Sequence, residues 1–189
     1  GNPVESARIH ALWALYSSGG FDERFGASLL SQGGEWVRSW AVRFLGEAGQ
    51  VSGALLDRLA EMAEKDPSPE VRRQLASTCQ RLEAAGAFPI AARLALRDED
   101  AGDPVIPLLV WLALEPRVVP ERERVVAWLE KNASRPLVGR HILFRAVRRL
   151  AAEGRPDALR AAVRLLRAAP PESDACWLAA KGLLEELEG

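Results

Sequence analysis

The stretch PSPEVRRQLASTCQRL, residues 67–82, contains the full pattern of an amphipathic helix together with its start. Ser68 can cap the helix, Pro69 suits its first position, and the negative charge of Glu70 suits the positive end of the helix dipole. Apolar and small side chains then recur at helical spacing and predict one buried stripe: Val71, Leu75, Thr78, Cys79 and Leu82. Four polar residues fall outside it: Arg72, Arg73, Gln80 and Arg81. The stripe must be covered by another element of the chain.

Similar helices recur along the chain at separations of 30 to 34 residues. The positions equivalent to Val71 are Ala7, Val37, Val105 and Val138. Four residues later the small or apolar residues are Ala11, Ala41, Leu75, Leu109 and Ile142. Second helical stretches lie between these first helices, at residues 21–31, 52–65, 88–97, 120–131 and 156–168. Glycine and proline separate the elements, and no run alternates with period two, so we expect no strands.

A helix pair that recurs about every 34 residues is typical of an α-solenoid, in which neighbouring pairs cover each other's apolar faces. We therefore predict an all-α fold, an α–α superhelix of the HEAT and armadillo kind, that forms a single domain over residues 2–189. The predicted hairpins are residues 4–32, 34–66, 68–101, 103–133 and 135–169, followed by a C-terminal capping helix at 172–188.

Composition narrows the class of protein. Apolar residues make up 48% of the 189 residues, charged residues make up 27%, and the net charge is −1. This balance gives no general preference for nucleic acid or for an acidic membrane surface. No apolar run reaches the roughly 18–20 residues of a membrane helix. Because the chain begins with Gly1 rather than Met, we expect a fragment of a larger protein, with Gly1 left from tag removal.

Residues that could carry chemistry are isolated in this sequence. There is no glycine-rich phosphate loop, no GxSxG and no zinc-ligand spacing, and neither His10 nor His141 has a ligand partner four residues later. The acidic run DEDAGD, residues 98–103, lacks the ligand order of an EF-hand, and we expect Asp103 to cap the next helix. The sequence does not decide whether Cys79 and Cys176 are separate buried thiols or form a disulfide. We predict no catalytic, cofactor-binding or metal-binding residue, and no enzyme activity, in this region.

Positive charge is concentrated near the C-terminus. Residues 135–170 contain nine arginines against Glu153 and Asp157, whereas residues 171–189 contain five acidic residues against Lys181. The arginines that could form a docking patch lie on two successive helices: Arg145, Arg148, Arg149, Arg160, Arg164 and Arg167. Two interpretations stay open at this point: a solvated face partly neutralised by the acidic last helix, or a docking patch for an anionic partner.

Three stretches resemble a particular family. SARIHALWAL at 6–15, SPEVRRQLASTCQRL at 68–82 and DEDAGDPVIPLLVWLALEP at 98–116 are similar to the HEAT-repeat region of large membrane-bound dehydrogenases of planctomycete and verrucomicrobial type. The resemblance covers roughly residues 4–150. It implies a quinoprotein-like β-propeller before this region and a cytochrome c-like haem domain after it, and hence a periplasmic, exported or membrane-associated protein.

The haem site of that family is not in this sequence, because neither Cys79 nor Cys176 begins the Cys-x-x-Cys-His run that holds haem c. The resemblance therefore predicts a non-catalytic scaffold that spaces the propeller from the haem domain. Its expected partners are neighbouring domains or an anionic protein surface. The alternative is a HEAT-like enzyme that acts on nucleic acid, similar to a DNA glycosylase. We do not expect nucleic-acid binding, because the positive charge is confined to one repeat instead of lining the array.

Overall fold

The computed structural model describes residues 3–47 and 51–171, together with Trp177, Ala180, Lys181 and Leu184. Within this part of the chain every regular element is helical, which confirms the predicted all-α fold. The predicted capping helix at 172–188 falls outside the described residues apart from the four single positions, each of which is helical.

Ten α-helices follow one another in the described residues. They are α1 (Pro3–Ser17), α2 (Glu23–Gln32), α3 (Glu35–Glu47), α4 (Gly53–Lys65), α5 (Pro69–Cys79), α6 (Ala84–Leu94), α7 (Ile106–Val118), α8 (Arg122–Asn132), α9 (Leu143–Ala151) and α10 (Pro156–Ala168). A short 3₁₀ helix, Asp98–Gly102, precedes α7, and a π-helical turn, Val138–Ile142, leads into α9. The chain divides into two compact units, Gly1–Leu94 and Ala95–Gly189, which are described separately below.

In the first unit, the first helices of successive pairs pack together, and so do the second helices of the last two pairs. Helix α3 packs against α1 and α5, while α4 packs against α6. Helix α5 also packs against α6. The largest wholly buried side chains are Leu59, Leu75, Ile90 and Leu94. This arrangement follows from the stripes in the sequence, because each helix covers its apolar face against a neighbouring pair.

Helix α5 has the start and the buried stripe that its sequence predicts. The Ser68 side chain accepts a hydrogen bond from the Val71 N–H, and Pro69 occupies the first turn. All five predicted stripe residues are buried. Arg72 is buried too, although the sequence places it outside the stripe. Its guanidinium donates to the Asp66 carbonyl oxygen at 2.9 Å, so a hydrogen bond compensates its removal from water.

The second unit repeats the same scheme. Helix α7 packs against α9, α8 packs against α10, and α9 packs against α10. Its wholly buried side chains include Ile106, Leu114, Leu129, Leu137, Ile142, Leu143, Leu150 and Leu165. The π turn before α9 was not expected from the sequence, which predicts a continuous α-helix. In this turn the Leu143 N–H bonds to the Val138 carbonyl, five residues back, and His141 Nε2 lies 2.8 Å from the Ala101 carbonyl oxygen.

Polar contacts also recur with a separation close to one repeat. Glu35 accepts from the Ser68 hydroxyl at 2.6 Å, 33 residues away. The Arg149–Glu115 and Arg164–Glu130 ion pairs each join residues 34 positions apart, with 2.9 Å between Nε and Oε1. Because neighbouring helix pairs form these contacts, the helices are arranged as a repeat-like stack within each unit.

Three details of the predicted register are wrong. In α1, Ala7 and Ala11 are exposed and Leu12 is buried in their place. Before α7, the Asp103 carboxylate accepts hydrogen bonds from the N–H groups of Val105 and Ile106, both at 2.8 Å. The N-cap position of α7 is nevertheless Val105, two residues after the predicted Asp103, and Ile106 and Val110 are buried while Val105 is exposed. Helix α6 begins at Ala84, four residues before the predicted start.

Candidate partner-docking surface

The predicted arginine patch lies on two helices of the second unit, α9 and α10. Arg145, Arg148 and Arg149 lie on the solvent side of α9, since its buried side is formed by Leu143, Ala146, Val147 and Leu150. Arg160, Arg164 and Arg167 lie on α10, whose buried side is formed by Ala158, Ala161, Ala162 and Leu165. The two sets belong to different helix layers, because α9 packs against α7 and α10 packs against α8.

The three α9 arginines line one depression of about 370 Å³ between α7 and α9. Its other lining residues are Trp111, Leu112, Glu115 and Ala152. The depression therefore combines cationic side chains from α9 with mainly apolar side chains from α7. We call this region, which comprises residues 105–115 in and just before α7 and residues 141–152 in and around α9, the α7–α9 surface.

Arg145 is the cation of this surface that has no carboxylate partner among the described residues. Its Nη1 donates to the His141 carbonyl oxygen, and its guanidinium carbon lies 4.5 Å from the centre of the Phe144 ring. Partial burial lowers the pKa of Arg145 from its ordinary value, yet an arginine stays protonated at neutral pH. The side chain thus carries a partly desolvated positive charge that an incoming anion would stabilise.

Arg149 differs from Arg145 because its charge is already matched within the chain. Its Nε donates to Glu115 at 2.9 Å, and its Nη1 donates to Glu153 at 2.6 Å. The hydrogen bond to Glu153 is the main reason that the pKa of Arg149 is raised. The Glu115 pair links α7 to α9, so Arg149 helps to hold the walls of the depression together.

The α10 arginines form a separate and partly neutralised surface. Arg164 makes a two-pronged ion pair with Glu130, with distances of 2.9 and 2.8 Å, and its Nη1 donates to Glu123 at 2.9 Å. The Glu130 contact is the first cause of the raised pKa of Arg164. Arg160 and Arg167 are exposed. The predicted patch of six is therefore two surfaces. Arg160 and Arg167 also have no carboxylate partner among the described residues, but they are exposed to water, whereas Arg145 on the α7–α9 surface is partly buried.

An apolar stripe beside the α9 arginines was missed by sequence reasoning. Val105, Leu108 and Leu112 are 39%, 46% and 40% exposed. Leu108 and Leu112 lie on one side of α7, and Val105 is the N-cap residue just before it. The sequence contains the signal, because α7 is apolar on nearly all sides: IPLLVWLALEPRV. A helix with more apolar residues than one buried face can cover leaves some of them at the surface.

Other candidate residues have structural contacts. His10 lies edge-on to Trp13, with ring centres 5.6 Å apart, and His141 bonds to the Ala101 carbonyl. In the acidic run, Asp98 pairs with Arg135 at 3.1 Å and Glu99 pairs with Arg97 at 2.6 Å. Within the described residues, no group of three or more His, Cys, Asp or Glu side chains is placed to hold a metal ion.

Two further observations concern the cysteines and the membrane. Cys79 is wholly buried in α5, whereas Cys176 lies outside the described residues. No helix in the described part of the chain has both the length and the apolar character needed to cross a membrane.

The first unit has an apolar cleft of about 360 Å³ between α1, α2 and α3. Its lining consists mainly of aliphatic side chains and Phe25, with Arg8 and Gln32 as the polar members. Because the cleft gathers no set of titratable groups, it suggests no reaction centre.

No family model matches this sequence, and neither a curated protein nor a solved structure matches it. A function is therefore proposed from the fold and from the geometry of the α7–α9 surface.

Proposed function

We propose that this chain is a non-catalytic, HEAT-like scaffold whose α7–α9 surface docks an anionic region of a partner protein. The observation that carries the proposal is Arg145, a half-buried cation without a carboxylate partner in the described residues. Neighbouring groups at protein surfaces normally compensate a desolvated charge, and here a partner could supply that compensation.

The surroundings of Arg145 support docking rather than catalysis. The side chains of the depression are arginines, one glutamate and apolar groups, and no nucleophile with an adjacent base is among them. Arginine forms paired hydrogen bonds with carboxylates, which suits recognition of Asp or Glu side chains. Stacked helix pairs commonly present such extended binding surfaces.

The resemblance to membrane-bound dehydrogenases suggests where such a scaffold would act. In that setting the chain would space a propeller domain from a haem c domain, in a periplasmic or exported protein. The gene around this chain tests this part of the proposal. Propeller sequence before Asn2 and a Cys-x-x-Cys-His run after Gly189 are expected, and a reading frame confined to these residues would contradict it.

Peptide binding tests the docking function directly. We would titrate the full chain into two fluorescein-labelled acidic peptides, a 21-residue oligoglutamate and an amphipathic peptide of three Leu-Glu-Glu-Leu-Ala-Glu-Ala repeats. At least one peptide should bind at low ionic strength and should bind more weakly as salt is raised, because salt screens exposed charges. Arg145→Met should weaken that binding, since it removes the charge and keeps much of the aliphatic stem.

Arg160→Met on α10 is the matched control, because Arg160 is exposed and lies outside the α7–α9 surface. It should leave binding nearly unchanged. The proposed function is wrong if neither peptide binds or if both arginine variants have the same effect. A labelled DNA duplex that binds more tightly than either peptide would favour the nucleic-acid alternative instead.

A further inference from the structure

The α7–α9 surface presents an apolar stripe and a cationic row side by side. The stripe is Leu108 and Leu112 on one side of α7, together with Val105, the N-cap residue just before that helix. At a rise of about 1.5 Å per residue, the stripe is roughly 10 Å long. An exposed row of three large aliphatic side chains is unlike the single exposed apolar residues of an ordinary surface.

The cationic row lies on the neighbouring helix. Arg145 and Arg148 are three residues apart, and both line the depression that also contains Leu112 and Trp111. A ligand in this depression therefore meets the aliphatic end of the stripe and the guanidinium groups at the same time. Trp111 is only 8% exposed and forms part of the buried wall.

We propose that the α7–α9 surface binds an amphipathic, acidic helical segment of a partner protein, whose apolar side chains cover the stripe while a carboxylate pairs with Arg145. This inference rests on the proposed docking function and adds the chemistry of the segment that is bound. The mode is that of a helix in a groove, in which apolar residues one turn apart provide the anchors.

The positive charge and the apolar stripe of this surface each argue against a partner that has only one of the two matching properties. A purely acidic segment would satisfy Arg145 but would leave Leu108 and Leu112 in contact with water. A purely apolar segment would cover the stripe and desolvate Arg145 further without compensation. A nucleic-acid backbone would bring a row of phosphates against the aliphatic side chains of α7. An acidic amphipathic helix matches both features of the surface.

The test compares the amphipathic peptide with a scrambled peptide of the same composition whose leucines do not share one helical face. Both are titrated with the full chain at the same ionic strength. We expect the amphipathic peptide to bind at least fivefold more tightly than the scrambled one. Leu112→Gln should weaken binding of the amphipathic peptide about five- to tenfold, because it removes aliphatic contact area. Arg145→Met should weaken it about tenfold, the effect of losing one charge-assisted hydrogen bond.

Matched controls on α10 separate binding from folding. Val163 is exposed to the same extent as Leu112, at 40%, so Val163→Gln is the partner variant for Leu112→Gln. Arg160→Met is the partner variant for Arg145→Met. Both controls should change the affinity less than twofold. Circular dichroism and the melting temperature of all four variants should match those of the parent chain, because the substituted side chains lie at or near the surface.

The outcomes distinguish the two proposals. If the scrambled peptide or oligoglutamate binds within twofold of the amphipathic peptide, the docking function stands and the amphipathic segment is wrong. If no acidic peptide binds, both the proposed docking function and the amphipathic segment are wrong. If the chain associates with itself in sedimentation experiments and Leu112→Gln abolishes that association, the occupant is a second copy of this chain and the inference is overturned.

Discussion

Asp66 makes several short polar contacts within the first unit. Its two carboxylate oxygens pair with Nε and Nη2 of Arg38, both at 2.9 Å. The same carboxylate accepts from the Ser68 N–H at 2.9 Å, and the Asp66 carbonyl accepts from Arg72. The Asp66 side chain is 6% exposed and that of Arg38 is 17% exposed, so water cannot replace this ion pair easily.

We expect Asp66→Asn to lower the free energy of unfolding by about 3 kcal/mol, since it leaves the Arg38 charge buried without its anion. Urea denaturation followed by circular dichroism measures the loss. Glu61→Gln is the control, because Glu61 forms exposed pairs with Arg58 and Lys65 and should cost less than about 1 kcal/mol. Equal losses of unfolding free energy in the two variants would contradict the interpretation that the buried Asp66 ion pair stabilises the first unit.

Asp157 gives a prediction about pH. The hydrogen bond from Arg122 is the main cause that lowers the pKa of Asp157 to about 2. Because the folded-state pKa lies below the unfolded-state value, the stability that this carboxylate contributes is present above about pH 4 and is lost as pH falls towards 2. NMR titration of the Asp157 carboxyl carbon should show the low pKa directly.

The same titration in variants tests the cause. Arg122→Met should raise the pKa of Asp157 towards its ordinary value. Arg155→Met should raise it less, because the Arg155 hydrogen bonds are longer, at 3.2 and 3.4 Å. A larger effect of Arg155→Met would show that Arg122 is not the main partner.

At the scale of the elements, Gly46 of α3 lies close against Thr78 of α5. A Cβ atom built on Gly46 would lie 2.2 Å from the Thr78 Cγ2 methyl, which is a severe overlap. Thr78 is wholly buried and its β-branched side chain has little freedom to move away. The absence of a side chain at Gly46 therefore sets the distance between these two helices.

We expect Gly46→Ala to destabilise the fold by about 2 kcal/mol through overpacking. In a Thr78→Ser background, which removes the methyl group and keeps the hydroxyl that accepts from Gln74, the same substitution should cost at least about 1 kcal/mol less. Urea denaturation of the four chains of this double-mutant cycle measures the coupling.

Gly53→Ala is the control for that cycle. Gly53 begins α4, and nothing lies within 4 Å of a Cβ built there. The substitution should change stability by less than about 0.5 kcal/mol. A Gly46→Ala cost that is the same with Thr or Ser at position 78 would mean that the loss has another origin.

Elements determined by local interactions were predictable from the sequence, and those determined by tertiary contacts were not. The start of α5 was predictable because the Ser68 cap is three residues from the N–H that it accepts from. Burial of Arg72 was not, since its acceptor is a carbonyl of the preceding loop. The π turn at 138–142 was also missed. There, His141 contacts the Ala101 carbonyl oxygen, 40 positions earlier, and Arg135, just before the turn, donates to the Leu96 carbonyl oxygen.

In the candidate site too, features that depend on local spacing were predictable from the sequence, and features that depend on tertiary contacts were not. The sequence identifies the arginines of α9 and α10, because their clustering is a matter of composition and helical spacing. It cannot distinguish Arg145 from Arg149, which differ in that Arg149 is contacted by Glu115 from α7 and by Glu153 from the turn after α9. The Val105–Leu112 stripe was missed because α7 begins at Ile106, so its buried positions lie one residue later than the repeat predicts.

At the scale of the whole molecule, each compact unit should respond mainly to damage in its own core. Leu59 in the first unit and Leu150 in the second are both wholly buried. We expect Leu59→Ala and Leu150→Ala each to cost about 3 kcal/mol. Native-state hydrogen exchange should show faster exchange mainly in residues 3–94 for Leu59→Ala and mainly in residues 95–171 for Leu150→Ala, because stacked helix pairs are stabilised by their nearest neighbours.

The conservative variants Leu59→Met and Leu150→Met provide the comparison, since they nearly preserve side-chain volume and should leave exchange almost unchanged. Uniformly faster exchange along the whole chain in either alanine variant would indicate a single cooperative block. The helical period that is visible in the sequence predicted the repeat-like stack. The division into two units depends on tertiary contacts, which local sequence patterns do not encode.

The ion pairs between neighbouring helix pairs have a consequence for how such a chain could have grown. Glu115 and Glu130 lie on α7 and α8, and their partners Arg149 and Arg164 lie 34 positions later on α9 and α10. Copying one helix pair in the gene would therefore repeat only glutamates or only arginines and would place like charges opposite each other. A duplication of α7–α10 together would extend the array with donors and acceptors in equal number.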